Sequence, residues 1–155
     1  MLKKIISGGQ TGADVAGLDV AIKYGITHGG AIPKGRLTEN GVLPEKYHLQ
    51  EMTTTSYPKR TAKNVADSDG TVIFTHGKLT GGSLLTRKEA FEHDKPWIHL
   101  DLSKLTVAEA TDMLQGFIQE NGIEVLNVAG SRASKDPEIY GKTFIVVEES
   151  LMAHE

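Results

Sequence analysis

Short apolar runs alternate with longer amphipathic stretches along the chain, and each has the length of a common secondary structure element. The apolar runs predict strands over residues 2–7, 27–32, 70–75, 97–100 and 124–129. The amphipathic stretches predict helices over residues 11–24, 57–67, 83–93 and 106–121. Gly25 and Gly122 stand where the first and the last of these helices should end.

Two further segments are harder to assign. Residues 137–152 predict a final helix because Pro137 and Glu138 resemble a helix start, although residues 143–147 also fit a strand. Residues 33–47 form a loop marked by glycine and proline, and residues 48–52 fit an extended segment. Long loops in compact domains often carry function, so the 33–47 loop is a candidate for a ligand contact.

The alternation of strands and helices is typical of an α/β fold with a mostly parallel sheet. Crossovers between parallel strands are right-handed, so helices cover both faces of such a sheet. We therefore predict one domain over residues 1–155 with a doubly wound, mostly parallel sheet. In folds of this class, ligands bind beyond the carboxyl ends of the strands.

The composition narrows the class of protein. The chain has 155 residues with 39% hydrophobic and 24% charged residues, which is ordinary for a globular domain with a full core. It has no cysteine, which excludes a disulfide scaffold, a cysteine metal site and a thiol nucleophile. We expect a cytoplasmic protein, and no apolar run approaches the roughly 18 residues of a membrane span.

The charge is small and unevenly distributed. The net charge is −3; residues 1–99 carry 13 Lys and Arg against 10 Asp and Glu, and residues 100–155 carry 4 against 10. A protein that grips duplex nucleic acid is normally far more basic, so we expect no such partner. The positive excess lies in the half with most of the glycine loops, which favours a small anionic ligand.

Glycine-containing loops follow four of the predicted strands. They are Gly8-Gly9-Gln10-Thr11-Gly12, Pro33-Lys34-Gly35-Arg36, the 77–83 segment and Gly130-Ser131-Arg132. Because a parallel sheet places the carboxyl ends of its strands at one edge, we expect these loops to converge on one crevice.

The first loop enters a helix whose free N–H groups and dipole favour an anion. The predicted ligand contacts here are Gly8, Gly9, Gln10, Thr11, Gly12 and Asp14. Thr11 and Asp14 have capping-box spacing, and the charge of Asp14 suits ribose hydroxyls better than phosphate. The segment matches neither the dinucleotide-binding fingerprint nor the P-loop, and a tight strand-to-helix turn without a ligand would also explain it.

The remaining predicted contacts come from the other three loops. They are Gly81, Gly82, Ser83 and Thr86 at a second helix start, Lys34, Gly35 and Arg36 on the long loop, and Gly130 with Arg132. Ser83 is the expected N-cap, and arginine is suited to bidentate contact with phosphate or carboxylate.

Catalytic residues cannot be assigned from spacing. Asp14 and Glu89 are candidates for an acid–base pair on topology alone. The six histidines, from His28 to His154, show no close metal-ligand spacing, so we expect no metal held by the protein. No nucleophile elbow and no Ser-His-Asp set is evident.

Several motifs occur in order over nearly the whole chain. They are Gly8–Asp14 with Leu18-Asp19, Pro33–Arg36, Arg60-Thr61 with Asn64-Val65, Asp67–Thr71, Gly81–Ser83 with Thr86, Lys95-Pro96, and Asn127–Gly130. In these motifs the sequence resembles the putative molybdenum carrier proteins. That family belongs to a Rossmann-like superfamily that includes the LOG phosphoribohydrolases and the DNA-processing protein that loads recombinase.

The resemblance implies a doubly wound sheet that binds a nucleotide or a molybdenum cofactor of the molybdopterin type, and a chain that forms a homo-oligomer. The chain departs from the family pattern at Val15, where arginine is common, and at Ile32, where cysteine is common. The LOG enzymes carry P-G-G-x-G-T-x-x-E; here the second glycine motif is missing and Glu89 is shifted by one position, which weakens the case for phosphoribohydrolase chemistry.

The sequence thus predicts a small binding protein for a phosphate-bearing ligand. Two alternatives stay open, a nucleotide N-glycosidase-like enzyme and an interaction domain with a degenerate pocket. For the homo-oligomer, the apolar side of helix 106–121 is the predicted contact surface.

Overall fold

The computed structural model describes residues 2–152, so Met1 and residues 153–155, with His154, lie outside the described part. The strands are β1 (Lys4–Ile6), β2 (Thr27–Gly29), β3 (Ala31–Ile32), β4 (Leu37–Thr38), β5 (Gly41–Val42), β6 (Gln50–Glu51), β7 (Gly70–Thr75), β8 (Trp97–Asp101) and β9 (Val125–Gly130). The helices are α1 (Ala13–Tyr24), α2 (Tyr57–Ala66), α3 (Gly81–Glu92), α4 (Val107–Glu120) and α5 (Ile139–Met152).

The central sheet has five strands in the order β2-β1-β9-β7-β8, and all of its pairings are parallel. The chain runs from β1 to β2 on one side and later builds β7 and β8 on the other, with β9 returning between them. The order therefore reverses around β1 and β9, which is where ligands bind in sheets of this kind. The predicted α/β fold is confirmed.

Helices cover both faces of the sheet, with α1, α4 and α5 packed together on one face and α2 beside α3. The apolar run of β7 is buried throughout, as its predicted central position requires. A Cβ atom on Gly17 would lie 2.8 Å from Cβ of Val128, so a glycine at this position lets α1 approach β9 closely.

The apolar side of α4 packs inside the chain. Ala110, Leu114, Phe117 and Ile118 belong to the main core with residues of α5 and β8. The prediction that this side contacts a partner copy is therefore wrong, because the chain's own α5 already covers it. Residues 143–147 lie within α5 and are helical, so the helical interpretation of this segment is the correct one.

The strand predicted over residues 27–32 is divided at Gly30, whose φ is +126° and where a Cβ atom would lie 2.1 Å from the Ser7 carbonyl oxygen. After this bend, β3 leaves the central sheet and pairs with β6, the predicted extended segment. Within the predicted loop, β4 and β5 form an antiparallel hairpin that the sequence pattern did not indicate. Among residues 2–152, no helix combines the length and apolar character that crossing a membrane requires.

Candidate functional site

A cavity of about 560 Å³ opens at the carboxyl edge of the central sheet, within the size range of small-ligand sites. Its walls come from the loops after β1 and β9, the first turns of α2 and α3, and the β4–β5 hairpin. It gathers these predicted contacts: Gly8, Gln10, Asp14, Gly81, Gly82, Ser83, Thr86, Gly130 and Arg132. Three of the four glycine loops thus meet at one crevice.

The other predicted contacts do not line this cavity; they are Gly9, Thr11, Gly12, Lys34, Gly35 and Arg36. Gly9 has φ +74°, and a Cβ atom there would lie 2.9 Å from a methyl group of Leu49. Gly12 has φ +79°, and a Cβ atom there would lie 2.3 Å from the Ser131 carbonyl oxygen. Both glycines therefore serve the packing of the turn.

Arg36 organises its own loop. Its guanidinium donates to the backbone carbonyls of Leu43, Pro44, Tyr47 and Leu49 at 3.0–3.3 Å. These contacts occupy donors that we expected to meet an anion. Beside it, the Gly35 amide donates to Glu51 Oε2 at 2.7 Å, so this segment supports the shape of the 33–51 region.

The helix caps differ from the predictions. Gly12 is the N-cap of α1, and Asp14 Oδ2 accepts from the Gln10 amide at 3.2 Å rather than from Thr11. At α3 the N-cap is Thr80, and the Thr80 amide donates to Ser83 Oγ at 2.9 Å. In both places the helix begins at a different residue than the spacing indicated, and the predicted cap side chain has another partner.

Asp14 is the buried ionisable group of the site, with 8% of its surface exposed. Burial raises the pKa of Asp14 to about 6, while the charge of Arg60 and the amides of Gln10 and Gly8 oppose the rise. The carboxyl group therefore changes its charge near pH 6, inside the cavity.

Arg60 was missed as a site residue, although it belongs to a motif that carries the family resemblance. It lies on α2, lines the cavity, and its Nη1 donates to the Gly8 carbonyl at 2.9 Å. Its guanidinium carbon stands 5.5 Å from the ring centroid of Tyr57, which lines the same wall. The one-turn spacing of Tyr57, Arg60 and Asn64 on a helix could have indicated a shared face.

Two buried asparagines also line the cavity and were not predicted. Asn64 pairs with Ala31, accepting from its amide at 2.8 Å and donating to its carbonyl at 3.1 Å. Asn127 Nδ2 donates to Thr71 Oγ1 at 3.2 Å. Both fix the backbone around the site: Asn64 holds β3 against α2, and Asn127 links β9 to β7.

Cationic side chains outnumber carboxylates by one on the cavity wall. Arg60, Arg132 and Lys135 contribute positive charge, and Asp14 and Glu39 contribute negative charge. Lys135 was not predicted, and its Nζ is the nearest atom, at 3.9 Å, to a Cβ atom built on Gly81. Side chains from α2, from the loop after β9 and from the glycine-rich start of α3 thus line the same cavity.

Glu89 is not part of this site. It stands about two turns into α3, and its carboxylate lies 3.5 Å from Nδ1 of His93. The predicted convergence of Asp14 and Glu89 is therefore wrong. Within residues 2–152, no group of three or more His, Asp or Glu side chains is arranged to hold a metal ion.

Residues 5–151 match the circularly permutated YpsA SLOG family. A crystal structure of a putative molybdenum carrier protein from Syntrophus aciditrophicus is 53% identical to this chain, with a TM-score of 0.95, over 97% of this chain and 95% of that one. No curated protein matches the chain. Because the family match spans nearly all of the sequence, the chain belongs to the circularly permutated YpsA SLOG family.

Proposed function

We propose that this protein is a small cytoplasmic carrier or binding protein for a phosphate-bearing ligand, a nucleotide or a molybdenum cofactor of the molybdopterin type. The ligand would lie in the cavity beyond β1, β7 and β9. Gly8, Gln10 and the start of α3 would receive one part of it, and the loop after β9 another.

One observation carries this proposal: three cationic side chains and a glycine-rich helix entry line a single cavity. Arg60, Arg132 and Lys135 come from two different elements and all line the cavity. Gly82 is exposed and a Cβ atom there would meet nothing within 4 Å, so its backbone is open to a ligand. Exposed N–H groups, a helix dipole and cationic side chains together suit a phosphate.

The same donors fit the phosphate of a molybdopterin-type cofactor. The related protein from Syntrophus aciditrophicus is described as a putative molybdenum carrier, which supports this member of the ligand class. The cofactor would bring its own ligands for molybdenum, so the chain's residues need only bind the organic part. Arg60, Arg132 and Lys135 would hold the phosphate, with Gln10 and Ser83 beside it.

A thermal-shift panel tests the proposal, with AMP, ADP, ATP, ADP-ribose, GMP and molybdate as probes. A ligand at about 100 times its Kd stabilises a protein by about 2.7 kcal/mol, which is several degrees for a domain of this size. We expect at least one nucleotide to raise the melting temperature and to be recovered intact by chromatography. No shift with any nucleotide would contradict nucleotide binding.

A second candidate function is hydrolysis of the N-glycosidic bond of a nucleotide, and Asp14 favours it. A buried carboxyl group whose pKa is raised to about 6 is a suitable group to direct water or to stabilise a developing oxocarbenium ion. Water would add to C1′ as the bond to the base breaks, and the base would leave with a proton. Free base released from AMP by the wild type, and not by Asp14→Asn, would support the enzyme over the carrier.

We also propose that the chain forms a homodimer, through a surface made by the end of α3 and the start of β8 and bordered by the C-terminal end of α4. Phe91 is 80% exposed, and with Trp97 it borders a shallow groove that also carries Asp94 and Lys95. We call this the Phe91 surface. The Phe91 surface combines an exposed aromatic side chain, a groove and charges of both signs. In a dimer with two-fold symmetry, Phe91 of each copy would enter the groove of the other, and Asp94 of each copy would lie opposite Lys95 of the other.

A further inference from the structure

The β4–β5 hairpin, residues 37–42, covers one side of the cavity with little apolar packing of its own. The side chains of Leu37 and Val42 are 54% and 65% exposed. Polar contacts link it to the rest of the molecule; one is the Glu39 amide, which donates to Gln10 Oε1 at 2.9 Å. A segment held in this way opens at a low cost in free energy.

The main polar contact is made by the carboxylate of Glu39, a surface residue whose side chain is 19% exposed. Oε2 accepts from the Ser134 amide at 3.0 Å and from the Thr11 hydroxyl. Oε1 accepts from the Ser134 hydroxyl at 2.5 Å and lies 3.5 Å from Nε of Arg132. One carboxylate thus receives donors from two loops outside the hairpin.

One of these donors, the Thr11 hydroxyl, is organised independently of Glu39. Thr11 Oγ1 accepts from the Ala133 amide at 3.1 Å, so its hydroxyl proton is directed outward. A backbone amide, two hydroxyl groups and a guanidinium are the groups with which proteins bind phosphate oxygens. Glu39 and Arg132 also line the cavity, so these donors border the space where the ligand is proposed to lie.

We propose that Thr11, Arg132 and Ser134 form an oxyanion-binding subsite, which Glu39 fills in the free protein and from which a phosphate group displaces it. Displacement frees the hairpin, so the same event that binds the phosphate opens one wall of the cavity. The inference rests on the proposed function in one respect, that the cavity receives a phosphate-bearing ligand.

The charge of Glu39 supports this competition. Hydrogen bonds from the Ser134 hydroxyl and, next, the Thr11 hydroxyl lower the pKa of Glu39. The Glu39 carboxylate therefore stays ionised over the pH range in which phosphate carries its negative charge. An internal anion in the subsite reduces the apparent affinity for an external one by the fraction of molecules in which the subsite is free. Removing the carboxylate should therefore strengthen phosphate binding, whereas removing an ordinary ligand contact would weaken it.

The test is calorimetric titration at constant ionic strength of the wild type, Glu39→Ala and the control Glu45→Ala. Glu45 is exposed, lies in the same loop and changes the net charge equally. The probes are inorganic phosphate, AMP and adenosine. We expect the Kd for inorganic phosphate to fall by about fivefold or more in Glu39→Ala, because the internal competitor is gone. Glu45→Ala should match the wild type.

The probes separate two sources of the phosphate group. A gain for both inorganic phosphate and AMP, with adenosine unchanged, assigns the subsite to the ligand's own phosphate. A gain for inorganic phosphate alone assigns it to a free oxyanion that binds beside the ligand. Both results support the subsite, and an unchanged or weaker affinity for inorganic phosphate in Glu39→Ala overturns it.

Amide hydrogen exchange in the wild type gives a second readout. On adding inorganic phosphate, the Glu39 amide should exchange faster because the hairpin is released, while the Ser134 amide stays protected by its new partner. Retained protection of Glu39 at saturating phosphate would overturn the displacement. The two proposals can fail separately. If nucleotides bind but the phosphate affinity of Glu39→Ala equals that of the wild type, only the subsite proposal is contradicted. If no nucleotide binds to either protein, the proposed function is contradicted.

Discussion

Arg60 Nη1 donates to the carbonyl oxygen of Gly8 at 2.9 Å and so joins α2 to the turn that follows β1. A Cβ atom on Gly8 would lie 2.3 Å from the same nitrogen, so a side chain at this position would displace the guanidinium. Arg60 also opposes the burial-driven rise in the pKa of Asp14. The contact thus links the geometry of the glycine turn to the charge of the cavity.

Gly82 offers a clean test of the cavity assignment. We expect Gly82→Val to weaken nucleotide binding by at least about tenfold, a loss of about 1.4 kcal/mol, because its side chain would occupy the space of the ligand. Gly116→Val is the matched control, since Gly116 also lies in a helix with nothing within 4 Å of its Cβ position but outside the cavity. Titration of both variants decides; equal affinities would remove Gly82 from the site.

Gly9→Val is not an equivalent probe, although its loop was predicted to contact the ligand. Gly9 has φ +74°, and its Cβ position is already close to Leu49 and Leu43. A valine there would strain the turn and disturb the core beneath the loop. Lost binding in that variant would therefore report on folding as well as on the ligand.

Asp14 should make stability depend on pH in an unusual direction. Its pKa is raised from 3.8 to about 6, so the folded protein holds this proton more tightly than the unfolded chain does. The stabilisation from that proton is present below about pH 4 and is lost as the pH rises through about 6. The shift corresponds to at most about 3 kcal/mol.

Denaturant unfolding between pH 4 and 7 checks this. The wild type should lose stability with rising pH relative to Asp14→Asn, whose side chain carries no charge. Asp112→Asn, at an exposed position on α4, should keep the wild-type dependence. If the unfolding free energies of the wild type and Asp14→Asn depend on pH in the same way across this range, Asp14 does not ionise in a buried environment.

Arg36 is expected to matter for stability and not for the ligand. Its guanidinium binds four backbone carbonyls, which a lysine cannot reproduce, so Arg36→Lys should cost about 1–3 kcal/mol of unfolding free energy. The neighbouring variant Lys34→Ala is the control and should unfold like the wild type. Unfolding curves and nucleotide titrations together distinguish a structural role of Arg36 from a ligand contact. If Arg36→Lys keeps the wild-type stability but binds nucleotide more weakly, Arg36 is a ligand contact after all.

The Phe91 surface predicts a dimer in solution. Sedimentation should give twice the chain mass for the wild type and the single mass for Phe91→Glu, because glutamate lacks the aromatic surface that Phe91 would bury in the partner's groove. Ile145→Glu, which changes a 42% exposed residue on α5, should remain dimeric. A monomeric wild type, or a dimeric Phe91→Glu, would contradict the pairing.

Much of the fold could be predicted because local pattern and burial agree. The apolar run of β7 marks a strand buried throughout, and Gly25, where the sequence placed the end of the first helix, is the C-cap of α1. The convergence of three glycine loops follows from parallel topology alone, so it needed no side-chain information.

The failures have one physical cause, which is that side-chain direction depends on tertiary contacts. Arg36 looked like an anion contact, but backbone carbonyls, which leave no mark in the sequence, are its partners. Arg60 lay on a predicted helix whose orientation toward Gly8 no local pattern revealed. The hairpin was missed because its exposed Leu37 and Val42 give no amphipathic signal, and a distant Glu39–Ser134 contact holds it.

The central claim, that cations around the start of α3 bind a phosphate-bearing ligand, is tested most directly at Lys135. Calorimetry with the nucleotide that stabilises the protein most should give a Kd about ten- to a hundredfold weaker for Lys135→Ala, the loss expected for a charge-assisted contact. Lys88→Ala, at an exposed position on α3 outside the cavity, should bind like the wild type. Equal affinities for Lys135→Ala and Lys88→Ala would contradict the account.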